Sequence, residues 1–267
     1  MTEVASDKQT SSSGDASRAL IQVSDLTLGF DGVALLENLN FQVNRGEVFV
    51  ILGGSGSGKS TLLKHMIGLY APMSGQILID GQDIAHAEGE ARMALLRKIG
   101  VAFQSGALFG SMTLLENVCL PLESHTGLDR SARELVARMK LRLVGLTGSE
   151  HLLPSALSGG MQKRAAIARA MALDPMILFL DEPSAGLDPI TAADLDQLIL
   201  RLASTLGMTF VVVTHELASI DTIADRVIML DRESRGIIAE GAPATLRAQS
   251  EHPWVRRFFN REATEAA

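Results

Sequence analysis

The sequence predicts an α/β protein with a parallel sheet at its centre, and three observations carry that prediction. Val48-Phe49-Val50-Ile51-Leu52 is apolar at every position, as a strand covered on both faces requires. Three further apolar runs follow, Met176 to Leu180, Thr209 to Val213 and Val227 to Leu230, and helix-patterned sequence between strands implies parallel crossovers. A glycine-rich stretch directly after the first run opens a helix from about Lys59. With 267 residues, 46% hydrophobic and 21% charged, the chain has ordinary globular composition, which excludes fibrous and wholly disordered classes.

The elements follow in order. Residues 1–17 are polar and rich in Ser, Asp and Gly, with too little apolar surface to offset ordering entropy, so a disordered tail is expected there. From Ile21 the chain alternates through Ile21-Gln22-Val23 and Leu26-Thr27-Leu28, turns at Asp31-Gly32 and resumes before Phe41-Gln42-Val43, the pattern of antiparallel strands. Another strand is expected around Gln76-Ile77-Leu78-Ile79, ending at the Asp80-Gly81 turn. The segment at about 105–160 changes character. Ser131-Ala132-Arg133-Glu134 has capping-box spacing, and Leu135, Val136, Met139 and Leu143 follow at helical intervals, so a helical subdomain is expected. The main domain is expected over 18–248, followed by an aromatic-basic segment over 249–267. Within it, Pro253-Trp254-Val255-Arg256-Arg257-Phe258-Phe259 either docks on its own domain or contacts a second subunit.

Charge and cysteine content narrow the function. Lys plus Arg total 24 against 31 Asp plus Glu, a formal charge of -7, which argues against a nucleic-acid partner. A single cysteine, Cys119, excludes an intramolecular disulfide and a thiolate metal cluster, and a reducing compartment is expected. The N-terminus lacks the basic start and apolar run of a secretory signal, and no run approaches about 18 apolar residues, so the chain is not expected to enter a membrane unaided.

Gly53-Gly54-Ser55-Gly56-Ser57-Gly58-Lys59-Ser60 matches G-x-x-x-x-G-K-[ST], with Thr61 next in the helix it opens. Glycines let successive backbone N–H groups point at phosphate oxygens without obstruction. Lys59 supplies positive charge for the β and γ phosphates of a nucleotide, and Ser60 a hydroxyl ligand for Mg²⁺. The run Met176 to Leu180 ends in Asp181-Glu182, placing two acids at the carboxyl end of a buried parallel strand, the edge where ligands bind in open sheets. Asp181 suits Mg²⁺ through its water shell, and Glu182 suits orienting or deprotonating the water that attacks the γ-phosphate.

Leu157-Ser158-Gly159-Gly160-Met161-Gln162, leading into an alanine-rich helical stretch, resembles the signature of ABC-type ATPases. The other motifs of that family stand in order around it. Gln104 resembles the Q-loop glutamine, here a catalytic and metal-site candidate; Ser184-Ala185-Gly186-Leu187-Asp188 resembles the D-loop; His215 resembles the switch histidine; Phe30 takes the place of the aromatic that stacks on adenine. The resemblance implies an ABC-type nucleotide-binding domain that hydrolyses ATP with Mg²⁺, having an antiparallel β subdomain and a helical subdomain. It also implies a head-to-tail homodimer in which Ser158, Gly159 and Gly160 of one subunit close the ATP site of the other. Phe30 departs from the usual tyrosine, keeping the ring face and losing the hydroxyl.

The segment 103–126, with Phe-Gln-Ser-Gly-Ala-Leu-Phe, Glu-Asn-Val, Pro-Leu and His-Thr, is similar to the Mla-type lipid transport ATPases that work with MCE-domain proteins. That similarity implies an ATPase at the cytoplasmic face of a bacterial inner membrane, peripheral to integral permease subunits and working with an MCE-domain lipid-binding protein. The cargo would be phospholipid or a related lipid moving between inner and outer membrane. Phe109, Met112, Leu114 and Leu115 are candidate permease contacts, with core packing the other reading of the same residues. The D-loop wording and the short C-terminus depart from the best-known Mla members. Two alternatives stand: a polar amino-acid importer ATPase, which shares nearly every motif, and a soluble ABC-type ATPase of DNA repair or translation. A kinase or switch GTPase would leave Ser158, Gln104 and His215 unexplained.

Overall fold

A computed structural model describes residues 19–262. The expected tail over 1–17 and the last five residues of the C-terminal segment lie outside the described residues. In chain order the elements are β1 (Ala19–Phe30), β2 (Val33–Asn44), β3 (Val48–Gly53), α1 (Lys59–Met66), β4 (Ser74–Ile79), β5 (Gln82–Asp83), α2 (Gly89–Leu96) and β6 (Ile99–Ala102). The helical segment holds α3 (Leu114–His125), α4 (Arg130–Leu143) and α5 (Gly159–Ala170). Then come β7 (Ile177–Asp181), α6 (Pro189–Leu206), β8 (Thr209–Val213), α7 (Leu217–Ile223), β9 (Arg226–Asp231), β10 (Gly236–Gly241), α8 (Pro243–Gln249) and α9 (Pro253–Asn260).

Two sheets organise these elements. A six-stranded sheet runs β10-β9-β3-β8-β7-β6, parallel except for β10, and an antiparallel sheet runs β2-β1-β4-β5. The β3 run is apolar throughout because each face meets a different core. Val48, Val50 and Leu52 face the helices α3 to α7, while Phe49 and Ile51 face the antiparallel sheet and α1. Burying each such side chain stabilises the fold by about 1.5–3 kcal/mol relative to leaving it exposed. The parallel strands thereby place their carboxyl ends along one edge, and the phosphate loop, Asp181 and His215 all follow such ends.

One expectation is corrected in the helical segment and one open choice is decided. Ser131 does not head its helix: Asp129 does, its carboxylate accepting from Ala132 N at 2.8 Å, while Ser131 Oγ donates to that same carboxylate. An ionised acceptor two residues earlier outcompetes the hydroxyl for the unpaired helix-start donors. The capping box lies instead at Thr113 and Glu116, where each side chain bonds the other's backbone N–H at the head of α3. Leu114 is fully buried in the main core and is no surface contact, because α3 turns that position inward. Leu135, Met139 and Leu143 lie on one exposed stripe of α4, whereas Ala137 and Leu141 make its buried face.

The aromatic-basic segment forms α9, packed on its own domain through the buried Val255 and Phe259. Among the described residues no helix is long and apolar enough to cross a membrane.

Candidate nucleotide site

The phosphate loop is the turn between the end of β3 and the start of α1. Gly58 caps α1 at φ 93°, and a Cβ there would sit 2.8 Å from Leu36 Cδ1, so conformation and space both demand glycine. No side chain caps this helix start, which leaves its first N–H groups free for an anion. Ser55 and Gly56 are exposed, Gly53 and Ser57 are buried, and Gly54 is half-buried. Lys59 Nζ donates to the carbonyls of Gly53 at 2.8 Å and Gly54 at 3.0 Å, which lays the amine across the loop. Burial pushes its pKa below the usual lysine value, with Glu182 and Asp181 opposing that shift.

Ser60 Oγ donates to Asp181 Oδ1 at 3.4 Å, bringing hydroxyl and carboxylate together across 121 residues of sequence. Burial raises the Asp181 carboxyl above its ordinary range, opposed by the Ser60 bond and by Lys64, Lys59 and Lys163. Two hard oxygen donors of this kind fit Mg²⁺. Among the described residues no three His, Cys, Asp or Glu side chains cluster as a metal site.

Glu182 follows β7 with φ 48°, a conformation rare for a non-glycine residue. Its N–H donates to Val213 O at 2.8 Å, which ties the turn to the end of β8. Its Oε1 pairs with His215 Nδ1 at 2.8 Å. The other oxygen, Oε2, is buried without a protein donor. The imidazole is 62% exposed against 13% for the Glu182 side chain, so the histidine screens the carboxylate from the solvent side.

Phe30, at the end of β1, is 49% exposed and stands beside the loop's helix. Its ring centre is 5.4 Å from Tyr70, edge to face, and 6.3 Å from His65 of α1. The ring is thus braced and still accessible to a flat base. Thr61 lies in the first turn of α1, its carbonyl partnered by His65 Nδ1 at 2.8 Å.

Gln104 lies just past β6, and its backbone carbonyl accepts from Lys163 Nζ at 2.5 Å. Lys163 also reaches Glu182 O at 3.3 Å, so α5 is tied to both the glutamine segment and the acid turn. Lys163 belongs to none of the motifs named in the sequence. Its partners stand 59 and 19 residues away, and no local spacing signals either bond.

Ser158 caps α5, accepting from Met161 N at 3.3 Å. Ser158 and Gly159 are exposed, whereas Gly160 is buried where a Cβ would meet Thr191 Cγ2 at 2.4 Å. Asp188 caps α6 in turn, accepting from Ile190 N and Thr191 N at 3.0 Å each. The cleft at the phosphate loop, about 290 Å³, is lined by Leu35, Gly56, Gly58, Lys59, Ser60 and Thr61. The signature residues are not among its walls. The structure therefore gathers Lys59, Ser60, Asp181, Glu182 and His215 at one edge and leaves Ser158 and Gly159 facing outward.

A second groove, about 610 Å³, runs between α3 and α4, with Met112, Leu115, Cys119, Glu123, Arg133 and Glu150 among its walls. Phe109 is 49% exposed nearby, its ring under the Arg169 guanidinium at 6.0 Å.

The family profile described as ABC transporter matches residues 36–185. The chain is 42% identical over 240 residues to the probable ribonucleotide transport ATP-binding protein mkl of Mycobacterium leprae, covering 90% of this chain and 68% of that one. It is also 42% identical over 243 residues to the intermembrane phospholipid transport system ATP-binding protein MlaF of Escherichia coli, covering 90% of this chain and 88% of that one. The fold is similar to the dimeric ATP-binding cassette MJ0796 in a post-hydrolysis state bound to ADP and Pi, with TM-score 0.74 and 33% identity, covering 83% of this chain and 98% of that one.

Proposed function

The chain belongs to the ABC transporter family as an ATP-binding, ATP-hydrolysing subunit, and from that premise we propose that it powers phospholipid movement between membranes. It would do so as a homodimer on the cytoplasmic face of a bacterial inner membrane. The observation that carries the catalytic reading is the 2.8 Å Glu182–His215 contact, which leaves Glu182 Oε2 without a donor beside the phosphate loop.

The chemistry follows from that arrangement. The unpaired N–H groups at the head of α1 and the Lys59 amine bind the β and γ phosphates, and Phe30 stacks on adenine. Lys59 exchanges the carbonyls of Gly53 and Gly54 for phosphate oxygens as the nucleotide enters. Glu182 Oε2 accepts a hydrogen bond from the attacking water and draws its proton, while His215 holds the carboxylate in place. Ser60 and Asp181, with Gln104 as a further candidate, would hold Mg²⁺, whose charge offsets that of the phosphates when bound. The N–H groups of a partner's α5 approach the γ-phosphate from the open side of the cleft. Hydrolysis then breaks the bond to the γ-phosphate, its release takes away the charge that held the two copies together, and the resulting movement passes to permease subunits through the α3–α4 groove, where Met112 and Leu115 are accessible.

Two findings support lipid as cargo: the wording of segment 103–126, and similarity to MlaF over 88% of its length. The equal identity to mkl favours a second reading, ribonucleotide transport, although there the match covers 68% of the relative. Mild-detergent purification of the tagged chain from its native cells, with mass spectrometry of proteins and lipids, separates the readings. Recovery of a multi-span permease, an MCE-domain protein and bound phospholipid is expected. A permease recovered with nucleotides and no lipid would move the cargo to ribonucleotides, and a permease with a solute-binding protein would indicate an amino-acid importer.

A further inference from the structure

The C-terminal helix lies beside the phosphate loop. Among the described residues, the only heavy atom outside the immediate chain that a Cβ on Gly54 would meet within 4 Å is Cζ2 of Trp254, at 3.5 Å. Gly54 also offers the carbonyl on which Lys59 rests, at 3.0 Å. An indole from a segment some two hundred residues away in sequence thus backs the peptide that holds the phosphate-binding amine.

That indole is well supported. It stacks on Phe258, one helical turn on, with centroids 5.7 Å apart and planes 24° from parallel. Val255 and Phe259 of the same helix are buried in the main core, and the Arg247 guanidinium of α8 lies 5.8 Å over the Phe259 ring. The helix therefore cannot move away without giving up core contacts, and the indole bounds the space on the side of Gly54 where a Cβ would point. Other outward points of the loop lack such backing: at Gly56 the nearest contact is Arg232 Nη1, at 4.0 Å.

We infer that Trp254 is a positioning residue for nucleotide binding, bracing the Gly54 peptide so that α9 sets the affinity of the phosphate loop for ATP. The inference rests on the ATP-site reading above and adds to it a control element outside the family motifs. Coupling of this kind is reciprocal, so nucleotide arrival, which takes Lys59 off the Gly54 carbonyl, must alter the surroundings of the indole.

Trp254 is the only tryptophan in the chain, so its emission reports this one contact. The test titrates the full chain with ATP, following intrinsic fluorescence alongside anisotropy of a fluorescent ATP analogue, and measures KM and kcat for Trp254→Ala and Trp254→Phe. ATP is expected to shift the emission of the wild-type chain and to leave that of Lys59→Ala unchanged. Trp254→Ala is expected to raise KM for ATP about threefold to tenfold with kcat changed less than about twofold, as loss of a packed aromatic contact predicts. Trp254→Phe should recover most of that loss. Analogue binding with unchanged emission, or a wild-type KM in Trp254→Ala, would overturn the inference while leaving the ATP site intact. Failure of the wild-type chain to bind the analogue at all would remove the site reading and the inference with it. Should Trp254→Ala not fold, the emission result and Trp254→Phe decide the question.

Discussion

The phosphate-loop half of the site and the signature half are built in opposite ways. At the loop, side chains from the ends of β3, β7 and β8 are bonded to one another, with Lys59 on the Gly53 and Gly54 carbonyls, Ser60 on Asp181 and Glu182 on His215. At the signature, Ser158 bonds only its own helix, and it and Gly159 face solvent. A half-site that must recognise a phosphate before any partner arrives gains from internal preorganisation. A half-site that must meet another copy gains from exposed N–H groups on a rigid helix. On the proposed reading, this chain carries a receptor for nucleotide and a lid for the receptor of a second copy.

The largest expected effect removes chemistry from the preorganised half. Glu182→Gln keeps the bond to His215 within reach but loses the base, and turnover should fall by about 10²–10⁴-fold while ATP binding persists. Steady-state phosphate release together with analogue anisotropy checks both parts; unchanged turnover would remove Glu182 from its role. Next comes the opposite half. Ser158→Arg should abolish turnover and leave analogue binding to the monomer within about threefold, whereas Lys59→Ala should weaken that binding by about a hundredfold or more. Equal loss of binding in both variants would erase the distinction between the halves.

Smaller effects probe the supports. Gly160→Ala places a methyl group against Thr191 Cγ2 and should destabilise the domain by about 1–3 kcal/mol, read as a lowered denaturant midpoint. A stability unchanged from wild type would mean that α5 and α6 are free to separate there. Asp196 of α6 is buried against α7, which begins just after His215. Burial lifts its carboxyl to about 6, with Glu216 adding to the shift and a bond from Ser219 opposing it. The folded pKa lies above the unfolded value, so the stability linked to this proton is present below about pH 4 and lost as pH rises through about 6. Asp196→Asn should therefore stabilise the fold at pH 8 by up to about 3 kcal/mol and have little effect near pH 4, as thermal melts across pH would show. An equal effect at both pH values would mean that the carboxyl does not titrate in this range.

How much of this was legible in the sequence differs between the same two regions. The strands β3, β7 and β8 read clearly because burial on both faces leaves unbroken apolar runs, and the loop read clearly because its backbone geometry restricts residue choice. Asp181 and Glu182 were visible as acids ending such a run. The pairing of Glu182 with His215 could not be read from the sequence, and the role expected of Ser158 came from resemblance, since neither leaves a local pattern. The helical segment read least well. Ser131 was expected to cap a helix that Asp129 caps, while the Thr113–Glu116 box was overlooked, because several polar residues near each helix start compete for the same donors. Leu114 and Phe109 are both apolar and close in sequence, yet one is core and the other surface, a choice made by the tertiary packing of α3. The contacts of Lys163 and Trp254 are long-range and left no local pattern in the sequence.

On the proposed reading, the two halves meet only between copies. Sedimentation equilibrium of Glu182→Gln with ATP, beside the double variant Glu182→Gln/Ser158→Arg, measures this. The single variant should run as an ATP-dependent dimer, and the double variant as a monomer that still binds the ATP analogue. A double variant that remains dimeric, or a single variant that stays monomeric with ATP bound, would contradict it.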